Sequence, residues 1–263
     1  LILGPLLILL SLAGSASCRS EQPKPEAISA FDADVHALET RLDQQHRSPE
    51  TLLAPEDTAR LHHGELIIEH LTKSPGKELA GALEHDWRGT AFVPGARAAD
   101  FERVMRDFTA YPKIFAPQVL KSRILEHPAD DHFVVQMRVR QKHVITVVLD
   151  STYNVTFGRL DSPDGFKGGF SLSRSTGISE IADAGTPAEH ALTAQQQHGF
   201  LWRLNSYWSY AERDGGLYIQ IESISLTRSI PTGLGWVIGP FVESVPRESL
   251  EFTLRSVRDA LKQ

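Results

Sequence analysis

A single cysteine, Cys18, occurs in the 263 residues, so the folded part of the chain has no internal disulfide and no cysteine-ligated structural zinc. Basic residues are not in excess: 27 Lys and Arg stand against 33 Asp and Glu, a formal charge of −6, which leaves no basic field to attract nucleic acid or anionic lipid. Several catalytic motifs are missing as well. There is no G-x-S-x-G around a serine nucleophile, and no H-E-x-x-H or carboxylate–histidine spacing for a metal. The glycines of "GRLDSPDGFKGG" and "TGLGWVIG" lack the strand-to-helix setting and the Lys-Ser/Thr ending of a phosphate loop. His62 and His63 are adjacent, so their side chains diverge, and His85, His190 and His198 read as surface or loop histidines. No catalytic set, metal or cofactor is therefore expected. Internal repeats are also lacking, while 41% hydrophobic and 23% charged residues are the proportions of an ordinary globular chain.

The first 18 residues, "LILGPLLILLSLAGSASC", carry no charge and are dense in leucine. The apolar run is short for a membrane span and suits the core of an export signal. Two processing routes stay open. Ser15-Ala16-Ser17 has the small-x-small form of a signal-peptidase site, whereas Cys18 at the boundary is a candidate lipidation site that would tether the mature protein; Ser15 departs from the large residue usual in a lipobox. An uncleaved hydrophobic anchor is the third reading. Export to the periplasm or outer surface, with membrane contact through the signal or a lipid, is the expectation.

Residues 19–63 read as a tether followed by an amphipathic helix. "RSEQPKPE" is polar and proline-bearing, and Ile28, Phe31, Val35, Leu38 and Leu42 then recur at helical steps over about 25–45. Residues 64–263 form the main domain. "ELIIEHLT" and "LEHDWRGTAFV" flank a Pro75-Gly76 turn signal, so a hairpin is expected there. A helix opened by Asp100 buries Phe101, Val104, Met105 and Phe108 and must stop by Tyr111, because Pro112 cannot continue it. In "HFVVQMRVRQ", Phe133, Val135, Met137 and Val139 alternate with polar neighbours, the pattern of a half-buried strand. "SPDG" reads as a turn, and Asp214-Gly215-Gly216 turns the clearest hairpin in the chain. Ser244 is the expected N-cap of a closing helix with Leu250, Leu254, Val257 and Leu261 inward. Consecutive strands with hairpin-type links make the class α+β, several antiparallel strands closed by one long C-terminal helix.

"DFTAYPKIFAPQV" and the C-terminal "SISLTRSIPTGLGWVIGPFVESVPRESLEFTLRSVRDAL" carry a resemblance. Over about residues 86–262 the chain resembles the START-like helix-grip superfamily (SRPBCC), which includes steroidogenic lipid-transfer domains, polyketide cyclases and coenzyme Q-binding proteins. The resemblance implies a curved antiparallel sheet gripping the C-terminal helix, to which the N-terminal helix and hairpin strand are additions, with an apolar cavity between sheet and helix and a hydrophobic small-molecule partner such as a lipid, sterol or quinone. It supplies no shared catalytic residues. A cyclase or dehydratase on the same fold, and a scaffold with a filled core, are the alternatives.

On that fold the candidate cavity residues are Met137, Tyr153, Phe157, Trp202, Trp208 and Ile221, roofed by Trp236, Phe241 and Leu254; the competing reading makes the tryptophans and Ile221 packed core. Arg203 and Glu222 either decorate the solvent face or pair inward as a polar anchor, since an isolated buried charge is costly. "IPTGLGWVIGPFV" is either a connecting loop or a mobile gate.

Overall fold

The computed structural model describes residues 22–53, 57–73, 76–142, 146–161, 165–229 and 235–262. Among the described residues the N-terminal part holds three helices, α1 (Pro25–Gln45), α2 (Pro49–Leu52) and α3 (Thr58–His62). Strands β1 (Ile67–His70), β2 (Lys77–Leu79) and β3 (Ala82–Pro94) follow, then α4 (Ala98–Arg106), a single 3-10 turn (Phe108–Ala110) and α5 (Tyr111–Ile114). Next come β4 (Val119–Ala129), β5 (His132–Lys142), β6 (Thr146–Asp161), β7 (Lys167–Ala182), β8 (His190–Ala191), β9 (Arg203–Arg213) and β10 (Gly216–Arg228). The chain closes with α6 (Gly235–Ala260).

Every strand pairing is antiparallel, in the order β1-β3-β10-β9-β7-β6-β5-β4, with β2 on β3 and β8 on β7. The sheet is curved and α6 lies across its inner face, the helix-grip arrangement that the resemblance implied. Among the described residues no helix is long and apolar enough to cross a membrane.

The local reasons for these elements are visible in the residues. Asp214 and Gly215 join β9 to β10 with φ of 56° and 75°, the left-handed pair that a tight hairpin matching sheet twist requires. In β5, Phe133 and Val135 are buried while Arg138 and Arg140 lie opposite. α4 ends at Arg106, Asp107 accepts a hydrogen bond from the Ala110 amide, and Pro112 falls in the first turn of α5. The expected break is therefore two breaks, and Pro112 opens a helical turn instead of only ending one.

Other expectations shift. The 98–106 helix starts at Ala98, two residues before Asp100. Gly76 precedes β2, which makes its own small hairpin with β3 through Gly81, and β1 pairs further along β3, from Ile67↔Thr90 to His70↔Trp87. The turn proposed at "SPDG" has residues 162–164 outside the described residues. α6 begins at Gly235, nine residues before Ser244, and runs through Pro240 and Pro246. Each proline removes a helix donor at a cost near 3 kcal/mol, so local preference is against a helix running through them. Docking of the Leu250, Leu254 and Val257 stripe on the sheet overrides that local preference.

Both faces of the sheet are covered. Inside, Leu250, Leu254 and Val257 join Phe101, Val135, Ile219 and their neighbours in one core. A side chain on β3 would obstruct this contact: a Cβ added to Gly89 would overlap Leu254 Cδ1 and lie 3.2 Å from Leu250 Cδ2. Outside, α1 buries Ala27, Phe31, Leu38 and Leu42 against Leu172, Tyr207, Ile224 and Leu226. α2 and α3 extend that layer with Leu52, Leu53 and Leu61 on Phe92, Ala211 and Tyr218.

Candidate functional site

Between the inner face and α6 lies a cavity of about 270 Å³. One end is closed by the broken-helix segment. Its aromatic side chains Phe108, Tyr111 and Phe115 line the space, with ring centroids 5.2 and 4.9 Å apart in sequence. Tyr111 is fixed there because its hydroxyl donates to the Met105 carbonyl at 2.8 Å. Burial pushes the Tyr111 phenol above its ordinary value, and does the same to Tyr153. Both rings are thus neutral hydrogen-bonding surfaces at physiological pH.

The walls come from strand alternation. Met137 and Val139 on β5, Tyr153, Val155 and Phe157 on β6, Trp208 on β9 and Ile221 on β10 all line the cavity. Leu250 and Phe252 contribute from α6. Trp208 also meets Phe101 edge-on at 5.5 Å.

The floor is different in chemistry. Val155, Ser173, Ser206, Ser223 and Trp87 stand opposite one another in turn across β6, β7, β9, β10 and β3. Ser171, Ser225 and Thr227 line the cavity beside this row. Small side chains here leave the volume unfilled, and each brings a hydroxyl that can donate and accept. Ser206 Oγ and Ser223 Oγ are 3.4 Å apart, and Ser223 Oγ is 3.4 Å from the Asn205 carbonyl, which are long contacts. At the end of the row Trp87 is buried, stacked on His70 at 4.1 Å, and its Nε1 has no hydrogen-bond partner. An unmet buried donor costs about 1–3 kcal/mol.

No Asp, Glu, Lys, Arg or His stands among the described lining residues. The titratable groups with the largest perturbations among the carboxylates lie behind the sheet, under α1. Burial pushes Glu84 up to about 8, with Asp34 adding to it, and pushes Asp86 up to about 7, with Glu222 adding to it. His85 is on the inner side of β3, where Nε2 lies 3.5 Å from Thr227 Oγ1, but it is packed behind the lining.

The mouth is formed partly by Phe200, which is 41% exposed, and Leu201. The buried carboxylate of Glu180 on β7 holds the loop that carries them. It accepts from the His198 amide at 3.0 Å, the Gly199 amide at 3.0 Å and the Phe200 amide at 3.3 Å, and meets His198 Nδ1 at 2.7 Å.

Of the residues expected at the cavity, the structure brings Met137, Tyr153, Phe157, Trp208 and Ile221 together as lining. Trp202 is elsewhere: it packs in the outer core with Phe31 and Leu226, its Nε1 also unpartnered. β9 starts at Arg203, so the strand alternation that places Trp208 inward does not extend back to Trp202. Leu254 is buried over Gly89 in the inner core, outside the lining. The side chains of Trp236 and Phe241, and all of Cys18, lie outside the described residues. Arg203 and Glu222 do not pair. Arg203 stands opposite Leu226 and donates to the Trp202 carbonyl, whereas Glu222 stands opposite Tyr207 and is bound by Arg88 and by Arg41 of α1. Their anchor role is corrected: Glu222 ties α1 to the outer face.

Large aromatic area and charge do not mark the serine floor. Its signal is in "FSLSRST" and "IESISLT", where Ser or Thr recurs at every second residue.

No family model and no curated protein matches the chain. Among solved structures, it is similar to a STAR-related lipid transfer protein from Xanthomonas axonopodis, at 20% identity over 72% of this chain and 97% of that one, with a TM-score of 0.43. It is similar to the Zhui aromatase/cyclase from a Streptomyces species at 16% identity, covering 68% and 91% of the two chains with a TM-score of 0.41. Human STARD10 shows 11% identity, with 80% of each chain covered and a TM-score of 0.43.

Proposed function

We propose that the protein is a non-enzymatic binding or transfer protein that holds one hydrophobic small molecule between the sheet and α6. The observation that carries this reading is the 270 Å³ cavity, walled by aromatic and aliphatic side chains and free of charge among its described lining residues. That volume falls near the lower edge of the roughly 300–1,000 Å³ range of small-molecule sites. A compact ring system or a short single chain suits it better than a two-chain lipid. The reading further includes export, on the strength of the leader-like residues 1–18, with Cys18 as the point of a lipid tether; metabolic labelling with palmitate, lost in Cys18→Ser, tests that part.

Binding is tested with the neutral solvatochromic dye prodan. The expected result is a saturable, one-to-one, blue-shifted signal that disappears in Ser206→Phe, whose ring would occupy the floor, and in Met137→Trp, which fills from the wall. Circular dichroism confirms that each variant is folded. Undiminished binding in both folded variants would remove the cavity from the account.

A further inference from the structure

The floor of the cavity says what the molecule must carry. The geometry points to an uncharged ligand with oxygen on one edge of an otherwise apolar body, a hydroxylated or carbonyl-bearing ring compound, laid with that edge on the row Ser173–Ser206–Ser223. This rests on the carrier reading above and narrows it.

Three observations combine. First, the row is continuous across three neighbouring strands, β7, β9 and β10, each residue directly opposite the next. Neighbours in such a row are about 4.5–5.5 Å apart at Cβ, so the hydroxyls form a polar line and not a single point. Second, the row is poorly used by the protein itself: the Ser206–Ser223 and Ser223–Asn205 contacts are both 3.4 Å. Serine can donate or accept, so a hydroxyl or carbonyl oxygen is the complement for the row. Third, a carboxylate or phosphate in this space would find no cation among the described lining residues, and desolvating an unpaired charge is very unfavourable. A plain hydrocarbon fits the walls but leaves the row unmet.

Three probes on one skeleton test this: naphthalene, 2-naphthol and 2-naphthoate, each titrated against the full chain by fluorescence. One net hydrogen bond predicts 2-naphthol binding about 3- to 10-fold tighter than naphthalene, with 2-naphthoate at least about 100-fold weaker than 2-naphthol. In the triple variant Ser173→Ala, Ser206→Ala, Ser223→Ala, the naphthol advantage should collapse while naphthalene binds as well or better. Ser206→Ala alone, the mildest change, should reduce the same ratio in part. An unchanged ratio in the triple variant, or naphthoate binding as tightly as naphthol, overturns the inference and leaves the carrier reading standing. Saturable binding of none of the three overturns both.

Discussion

Raising the pH should weaken the attachment of α1 to the back of the sheet, and the buried carboxyl groups of β3 set how much. Glu84 is 2% exposed and has its carboxyl pushed from the ordinary 4.5 up to about 8 by burial, then by Asp34; Lys77 opposes the shift. Asp86 goes from 3.8 to about 7, by burial and then by Glu222, with Arg41 and Arg88 opposing. The folded values lie above the ordinary ones, so it is the neutral forms that suit the fold. Their contribution is full below about pH 4 and is lost as the pH climbs through 7 and 8. At about 1.4 kcal/mol per pKa unit, forcing Glu84 to ionise in place has a ceiling of roughly 5 kcal/mol. Movement of α1 to admit water lowers the realised figure. Even about 2 kcal/mol corresponds to roughly 4–8 °C in a domain of this size. Thermal unfolding followed by circular dichroism between pH 5 and 9 is the assay. The wild type should lose several degrees across that range, and Glu84→Gln, which keeps the shape without the charge, should lose distinctly less. Equal slopes for wild type and variant would refute the assignment of the linkage to Glu84.

Two further outcomes follow from single contacts. Gly89→Ala sets a methyl group against Leu254 Cδ1 and Leu250 Cδ2, so denaturant unfolding should show a loss of about 1–3 kcal/mol; an unchanged midpoint would mean that α6 does not approach β3 as described. Glu180→Gln weakens the charge-assisted bonds to the 198–200 amides, each worth about 1.5–3 kcal/mol. Hydrogen exchange at those amides should accelerate and prodan should dissociate faster, while the core strands stay protected; unaltered exchange would show that the mouth loop is held by other contacts.

Much of the frame was legible because short-range chemistry dictates it. Asp214-Gly215 needs two left-handed residues between alternating strands, and that signal fixed the β9–β10 hairpin. The stripe of Ile28, Phe31, Val35, Leu38 and Leu42 marked α1 as a one-faced helix, although nothing local said that its partner is the outer face of the sheet. Ser244 as N-cap placed the start of α6 nine residues late, since capping preference sees the local side chain and not the docking surface that extends the helix back to Gly235. Alternation by twos back from Trp208 points Trp202 inward, but residue 202 precedes the strand and escapes its pleat. Arg203 and Glu222 could be paired only by guessing a register, and the actual register puts them opposite Leu226 and Tyr207. The floor shows the deeper limit: aromatic residues announce themselves in a sequence, whereas a void is made by the small residues between them. Only the cross-strand register turns Ser173, Ser206 and Ser223 from three scattered serines into one row.

The central claim is that this cavity holds an uncharged apolar molecule. The most direct measurement is extraction of the purified protein, from residue 19 onward, with organic solvent, followed by mass spectrometry of the extract beside that of Ser206→Phe prepared in parallel. The account predicts a near-stoichiometric, neutral, oxygen-bearing species in the wild-type extract that is depleted in the variant. A wild-type extract with no such species, from a protein that also fails to take up prodan and the naphthalene series, would contradict it.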